Sequence, residues 1–313
     1  MTRRSTLSGI LFLLVGIAVF SVQDLILKRL SGDYPLHQAM VLRSATAIPF
    51  LLMLVHRSGG WPSLFNRGTR WMIARGLVMF LAYTSYYLAL PALPIATTVS
   101  LYFSAPLFIT VLSVLLLGEK VSGLRWLAVL AGFAGVLVMV RPGRELFEWA
   151  ALLPVISGMA YGLSMIVARL MGESQTAAAQ AFWGNAVFLC LAAIMALTLG
   201  DGDLAAGAHP SLAFLMRPWV MPTGLDLALM MGCGVIAAAG LVLLTQAYRI
   251  AEANAVAPFE YSAMIWGLLW GWWAFGDWPV ALDWAGIAII TGAGLAVVYA
   301  PAPAPTAARD AAS

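Results

Sequence analysis

The stretch ANAVAPFEYSAMIWGLLWGWWAFGD, residues 253–277, decides how the chain is read. Nearly every residue in it is apolar. The run is long enough to cross a bilayer, since hydrocarbon of roughly 30 Å needs about 20 apolar residues in a helix. Two residues break the pattern. Glu260 puts an acid inside the span, where insertion scales charge roughly 2.5–3.5 kcal/mol and where acids face a bundle interior or a watery cavity. Pro258 removes a backbone donor and crowds the carbonyl of Asn254, so the helix is expected to bend or open just before the acid. The competing reading of Glu260 is a protonated, hydrogen-bonded acid with no role beyond packing.

Outward from this stretch, composition gives the class. Of 313 residues, 62% are hydrophobic and 10% charged, and mean hydropathy is +0.91. A soluble domain carries about 25% charged residues, so the chain reads as an integral membrane protein. The net charge of +3 is scattered over loops and gives no nucleic-acid signal. The two cysteines, Cys190 and Cys233, fall inside predicted spans and read as apolar-facing thiols. The three histidines have no metal-ligand spacing. The first apolar run lacks a small-residue cleavage motif and reads as a retained span.

Hydropathy predicts ten spans, at 7–27, 37–55, 71–90, 95–117, 124–141, 149–169, 176–199, 225–248, 254–276 and 284–300. The 200–224 segment is expected to be a long loop, and 301–313 a disordered cytoplasmic tail. With a cytoplasmic N-terminus, ten Lys and Arg fall inside and five outside, so both termini are expected in the cytoplasm.

The chain also repeats itself. Gly118-Glu119 recurs as Gly276-Asp277, and Trp126 as Trp284, both 158 residues on. Phe103-Ser104-Ala105 aligns with Tyr261-Ser262-Ala263, Lys28 with Arg169, and Gln38 with Gln180. Each copy has five spans, so the second must insert upside down, and such repeats hold a solute site at their interface near the midplane. The expected units are 1–142 and 149–300.

These paired ends carry a resemblance: Pro106 through Leu117-Gly118-Glu119 with Trp126, and Ala257-Pro258-Phe259-Glu260-Tyr261 through Gly276-Asp277. With Ser21, Asp24 and Lys28 on the first span and Arg43 on the second, the sequence resembles the EamA family of the drug/metabolite transporter superfamily. That resemblance implies an all-α membrane protein of ten transmembrane helices, two inverted five-helix repeats around a central cavity. It implies a carrier for a small organic metabolite in the bacterial inner membrane. Exporters of amino acids or drugs, and uptake carriers for S-adenosylmethionine and riboflavin, share the layout. No cofactor is implied, and the expected state is a monomer in contact with lipid.

The candidate cavity residues follow from charge and aromatic placement. Asp24 and Lys28 are one turn apart and are expected to neutralise each other, with Arg43 at a similar level, as an outer polar cluster. Snorkelling is the alternative for Lys28. Arg75 and Glu260 lie at comparable inner depth and are expected to pair if both face the cavity; Arg75 could equally snorkel. Tyr83 and Tyr87, with Tyr102, Tyr161 and Tyr261, are ring candidates for holding a planar solute, and Gln246 completes the set. Most of the tryptophans read as interfacial belt or helix packing. No Walker-type loop is present, and no His, Asp or Cys cluster suggests an embedded enzyme. A scaffold would gain nothing from intramembrane charge.

Overall fold

The computed structural model describes residues 3–141, 148–171, 175–199, 209–250 and 256–299. The first copy comprises α1 (Arg3–Leu30), α2 (Leu36–Ser58), α3 (Thr69–Ala89), α4 (Ile95–Tyr102), α5 (Ala105–Leu117) and α6 (Gly123–Val140). The second comprises α7 (Leu152–Met171), α8 (Ala177–Leu199), a short α9 (Pro210–Met216), α10 (Gly224–Ile250), α11 (Ser262–Phe275) and α12 (Ala281–Tyr299). Among the described residues nine segments are long and apolar enough to span a membrane, with α4 and α5 counted together.

The tenth crossing is where expectation and structure part in detail. Among the described residues the expected helix 254–276 is not continuous, and its long α-helical part runs from Ser262 to Phe275. A 3-10 turn, Ala257–Tyr261, precedes it, with Pro258 at its start and Glu260 within it. Proline fits a first turn, where its missing N–H is no loss. The backbone therefore changes character at the acid itself. Asn254 lies outside the described residues, as does the tail 301–313. The expected loop 200–224 also contains α9, which starts at Pro210 behind His209 as its cap and buries Phe214.

The two copies break at the same place. α4 ends at Tyr102 and α5 begins at Ala105, opposite the Tyr261–Ser262 junction in the repeat alignment. Both restarted helices then end on a left-handed glycine, Gly118 at φ 66° and Gly276 at φ 70°. Around each, the amide of the glycine and of the following acid turn back onto the last helical turn: Gly118 to Val114, Glu119 to Ser113, Gly276 to Trp272 and Asp277 to Gly271. The bond from each glycine amide to the carbonyl four residues back is that of an αL cap, in which a residue without a Cβ closes the open carbonyls.

Packing makes a closed ring. α1 lies on α10, α10 on α2, α2 on α8, α8 on α3, α3 on α7, α7 on α4 and α5, α4 on α11, and α11 returns to α1. α6 and α12 pair with each other outside it. Exchanging the copies maps the α1–α10 contact onto α7–α3, α10–α2 onto α3–α8, α7–α5 onto α1–α11, and the α2–α8 and α6–α12 contacts onto themselves. That is the signature of a pseudo-twofold, and odd numbers of crossings make it an inverted one. One close approach seats the first break. A Cβ on Gly158 of α7 would stand 2.9 Å from the Tyr102 carbonyl oxygen and 3.1 Å from Ser104 Oγ.

Gly118→Ala and Gly276→Ala should each lower stability by about 1–2 kcal/mol, the cost of a left-handed residue with a Cβ. Gly184→Ala, whose added methyl meets nothing within 4 Å, should leave the melting temperature unchanged or raised. Thermal unfolding in detergent reads all three.

Candidate functional site

The ring encloses a cavity of about 660 Å³ walled by both copies. α1 contributes Phe20, Ser21, Gln23 and Asp24; α3 contributes Tyr83, Tyr86 and Tyr87. Tyr102 and Phe103 come from the first break, Ser157 and Tyr161 from α7, Glu260 from the 3-10 turn and Trp270 from α11. The helical breaks matter here. They bring backbone out of regular pairing at the wall of a cavity, the setting in which irregular backbone is tolerated at membrane depth.

The tyrosines form a continuous wall. Tyr83 stacks on Tyr87 at 5.9 Å, Tyr87 meets Tyr86 edge-on at 5.8 Å, Tyr86 meets Tyr102 at 5.6 Å, and Tyr102 meets Tyr161 at 5.6 Å. The last step crosses from one copy to the other. Trp270 donates its indole N–H to Ser21 Oγ at 2.9 Å, tying α11 to α1 beside Asp24. Ser157 Oγ is buried without a hydrogen-bond partner among the described residues.

Of the residues singled out in the sequence, Asp24, Tyr83, Tyr87, Tyr102, Tyr161 and Glu260 border this cavity. The others stand elsewhere. Tyr261 is behind the wall, with its ring 4.8 Å from that of Phe103 and its hydroxyl against Gly294. Gln246 is half-buried on α10, outside the lining. Arg43 is buried behind the tyrosines, its guanidinium carbon 6.0 Å from the Tyr83 ring and 5.7 Å from that of Phe188.

Two expected pairings do not form. Asp24 does not meet Lys28. The Tyr86 hydroxyl donates to Asp24 Oδ2 at 2.9 Å. Lys28 instead donates to the Leu93 carbonyl at 2.6 Å and to Asp277 Oδ2 at 3.2 Å. A lysine donates three hydrogens, and the turn after α3 and the cap after α11 offer acceptors that α1 alone lacks. Arg43 joins neither, so the outer cluster of three is not present. Arg75 does not meet Glu260; its Nη1 donates to Gln180 Oε1 at 3.3 Å, linking α3 to α8.

The Lys28 end is stitched across the copies. Arg217 donates to the Ser31 carbonyl at 2.9 Å, Gln38 exchanges two hydrogen bonds with the Val220 backbone, and Tyr34 donates to Asp226 at 2.8 Å. Sequence reasoning missed Gln23, Tyr86 and Trp270. Gln23 was legible as a polar residue beside an intramembrane acid. Tyr86 was legible as the partner of Tyr83 one turn on.

The model of the EamA-like transporter family matches residues 7–141. Residues 7–141 belong to the EamA-like transporter family. Relatives that align over nearly the whole chain include three carriers. A riboflavin transporter of Rhizobium johnstonii is 28% identical over 94% of this chain and 92% of its own. An S-adenosylmethionine uptake transporter of Rickettsia prowazekii is 24% identical, over 95% and 94%. A pseudopaline exporter of Pseudomonas aeruginosa is 26% identical, over 93% and 95%. One crystal structure shares the fold with a TM-score of 0.61 at 18% identity, covering 97% of this chain and 100% of that one. The chain is thus a multi-pass membrane protein that transports small molecules.

A double-mutant cycle separates the pairings. Lys28→Met with Asp277→Asn should show a coupling of about 1 kcal/mol, between the exposed and buried limits for ion pairs. Lys28→Met with Asp24→Asn should be additive. Chemical unfolding in detergent measures both.

Proposed function

We propose that the chain is a secondary carrier that moves one small organic solute at a time by alternating access. The carrying observation is the cavity of about 660 Å³, which both copies wall and into which intramembrane acids and tyrosines project. A chamber of this size suits a cofactor-sized molecule, since ligand pockets run from about 300 to 1,000 Å³. The relatives' solutes, with the tyrosine wall, favour S-adenosylmethionine, a riboflavin-like molecule or an amino acid. Export of amino acids or drugs is the second reading, favoured by the exporter among the relatives.

The membrane is the bacterial inner membrane, with both termini cytoplasmic and the Lys28 end outside, the orientation that the Lys and Arg bias supports. The protein acts as a monomer and as a carrier, not an enzyme. Alternating access needs a seam that closes at each end in turn. The Lys28–Asp277 bridge joins α1 to the cap after α11 outside. In the repeat alignment Lys28 corresponds to Arg169 and Asp277 to Glu119, again opposite charges. Those two are the proposed inner counterpart.

The test is counterflow into proteoliposomes of the purified chain, with a thermal-shift screen against amino acids, S-adenosylmethionine and riboflavin. A solute bound by the folded state raises the melting temperature. One of these solutes should exchange, and Glu260→Gln should remove both signals. Proteoliposomes no better than empty vesicles for every solute would overturn the reading. In a background with Cys190 and Cys233 replaced by alanine, a cysteine at Lys120 should label only from the cytoplasm and one at Val280 only from outside.

A further inference from the structure

The wall of the cavity is not chemically uniform. On the α1–α3 side, two neighbours on one helix are zipped to two neighbours on the other. Tyr86 donates to Asp24 Oδ2 at 2.9 Å, and Gln23 Nε2 donates to the Tyr87 hydroxyl at 2.6 Å. Behind them, Arg43 Nε donates to Gln23 Oε1 at 3.0 Å. The sense of this chain is fixed. A guanidinium can only donate, so the amide oxygen of Gln23 must face Arg43 and its nitrogen must face Tyr87.

The remaining valences follow. Gln23 has one amide hydrogen left. Tyr87 accepts from Gln23 and keeps its own proton to donate, and among the described residues no protein acceptor takes it. Asp24 has a second carboxyl oxygen without a protein donor among the described residues. All four residues border the cavity. The strip therefore shows two donors beside an acceptor, flanked by the faces of Tyr83 and Tyr102.

We propose that this strip reads the edge of a planar heteroaromatic solute that carries a hydrogen-bond donor next to an acceptor, as a cyclic imide or an amidine does. The tyrosine faces take the flat of the ring. Arg43 is a positioning residue: it does not border the cavity, and it fixes which way the Gln23 amide points. The inference rests on the carrier reading and narrows its solute. A simple organic cation would meet Asp24 and leave the Gln23 and Tyr87 donors unpaired. An aliphatic amino acid has no ring to fill the wall. A site whose buried donors are built for one edge penalises a ligand that cannot complete them.

The experiment is equilibrium binding to the full chain in detergent, read without transport. The probes are riboflavin and adenosine, whose edges are intact, against 3-methylriboflavin and N6,N6-dimethyladenosine, whose edges are blocked. Tryptophan is the planar ring without such an edge. At least one intact probe should bind about tenfold or more tightly than its methylated partner, the worth of about one hydrogen bond. Gln23→Glu, whose carboxylate can still meet Arg43, should erase that ratio. Arg43→Met should bring the intact probe down to the level of the methylated one and leave the methylated one unchanged.

Three results overturn the assignment: no binding of either intact probe, equal binding of the methylated partner, or an Arg43→Met variant that weakens both alike. If counterflow of tryptophan or another solute persists while the edges are ignored, the strip is wrong and the carrier reading stands. Edge discrimination without exchange of any solute sinks the carrier reading and keeps the strip as a binding site.

Discussion

A helix that stops in the middle of a bilayer leaves amides and carbonyls that hydrocarbon cannot satisfy. Everything in this molecule is arranged around two such stops. The Tyr102–Ala105 break and the 3-10 turn Ala257–Tyr261 sit at equivalent points of the two copies. They are tolerable because eight crossings close around them. Gly158 lets α7 lie against the first break closely enough to shield it. The breaks in turn set Tyr102 and Glu260, which occupy the same position in the two copies, on the wall of the same chamber.

The chamber's polarity is organised in layers. Acids and phenols border it directly, and the cations stand one layer back. Arg43 is hydrogen-bonded to the wall through Gln23 and stands behind the Tyr83 ring, and Arg75 is engaged with Gln180. Phenols suit this role because each has a large apolar body and a polar tip, so one side chain can pack against lipid-like surroundings and still serve an acid. Tyr86 does so for Asp24. The cross-copy contact of Tyr102 with Tyr161 makes the wall a joint product of both halves.

Much of this was legible in the residues. Long apolar runs located the crossings because the bilayer sets their length. The recurrence of Gly118-Glu119 as Gly276-Asp277 located the repeat because a left-handed cap tolerates few residues besides glycine. Partners were harder. Asp24 and Lys28 are spaced to pair on an isolated helix, but Asp277 and the Leu93 carbonyl arrive from elsewhere in the fold, and helical spacing carries no information about them. Trp270 shows a deeper difficulty. In a membrane the lipid-facing and core-facing sides of a helix are both apolar, so periodicity does not say which way a stripe turns. Trp272 and Trp273 are 59% and 68% exposed, as a belt predicts, whereas their neighbour Trp270 reaches Ser21 inside the ring.

The pair α6 and α12 stands apart from the ring, yet each helix belongs to a different copy. They touch through glycines: Gly135 faces Ile289 and Ile290, and Gly286 faces Met139. At one extremity Arg141 grips Asp283 at 2.8 Å. Small residues let the two helices lie close along their length, and the ion pair fastens them at one extremity. The outermost helices, one from each copy, thus tie the two halves together away from the chamber that those halves share.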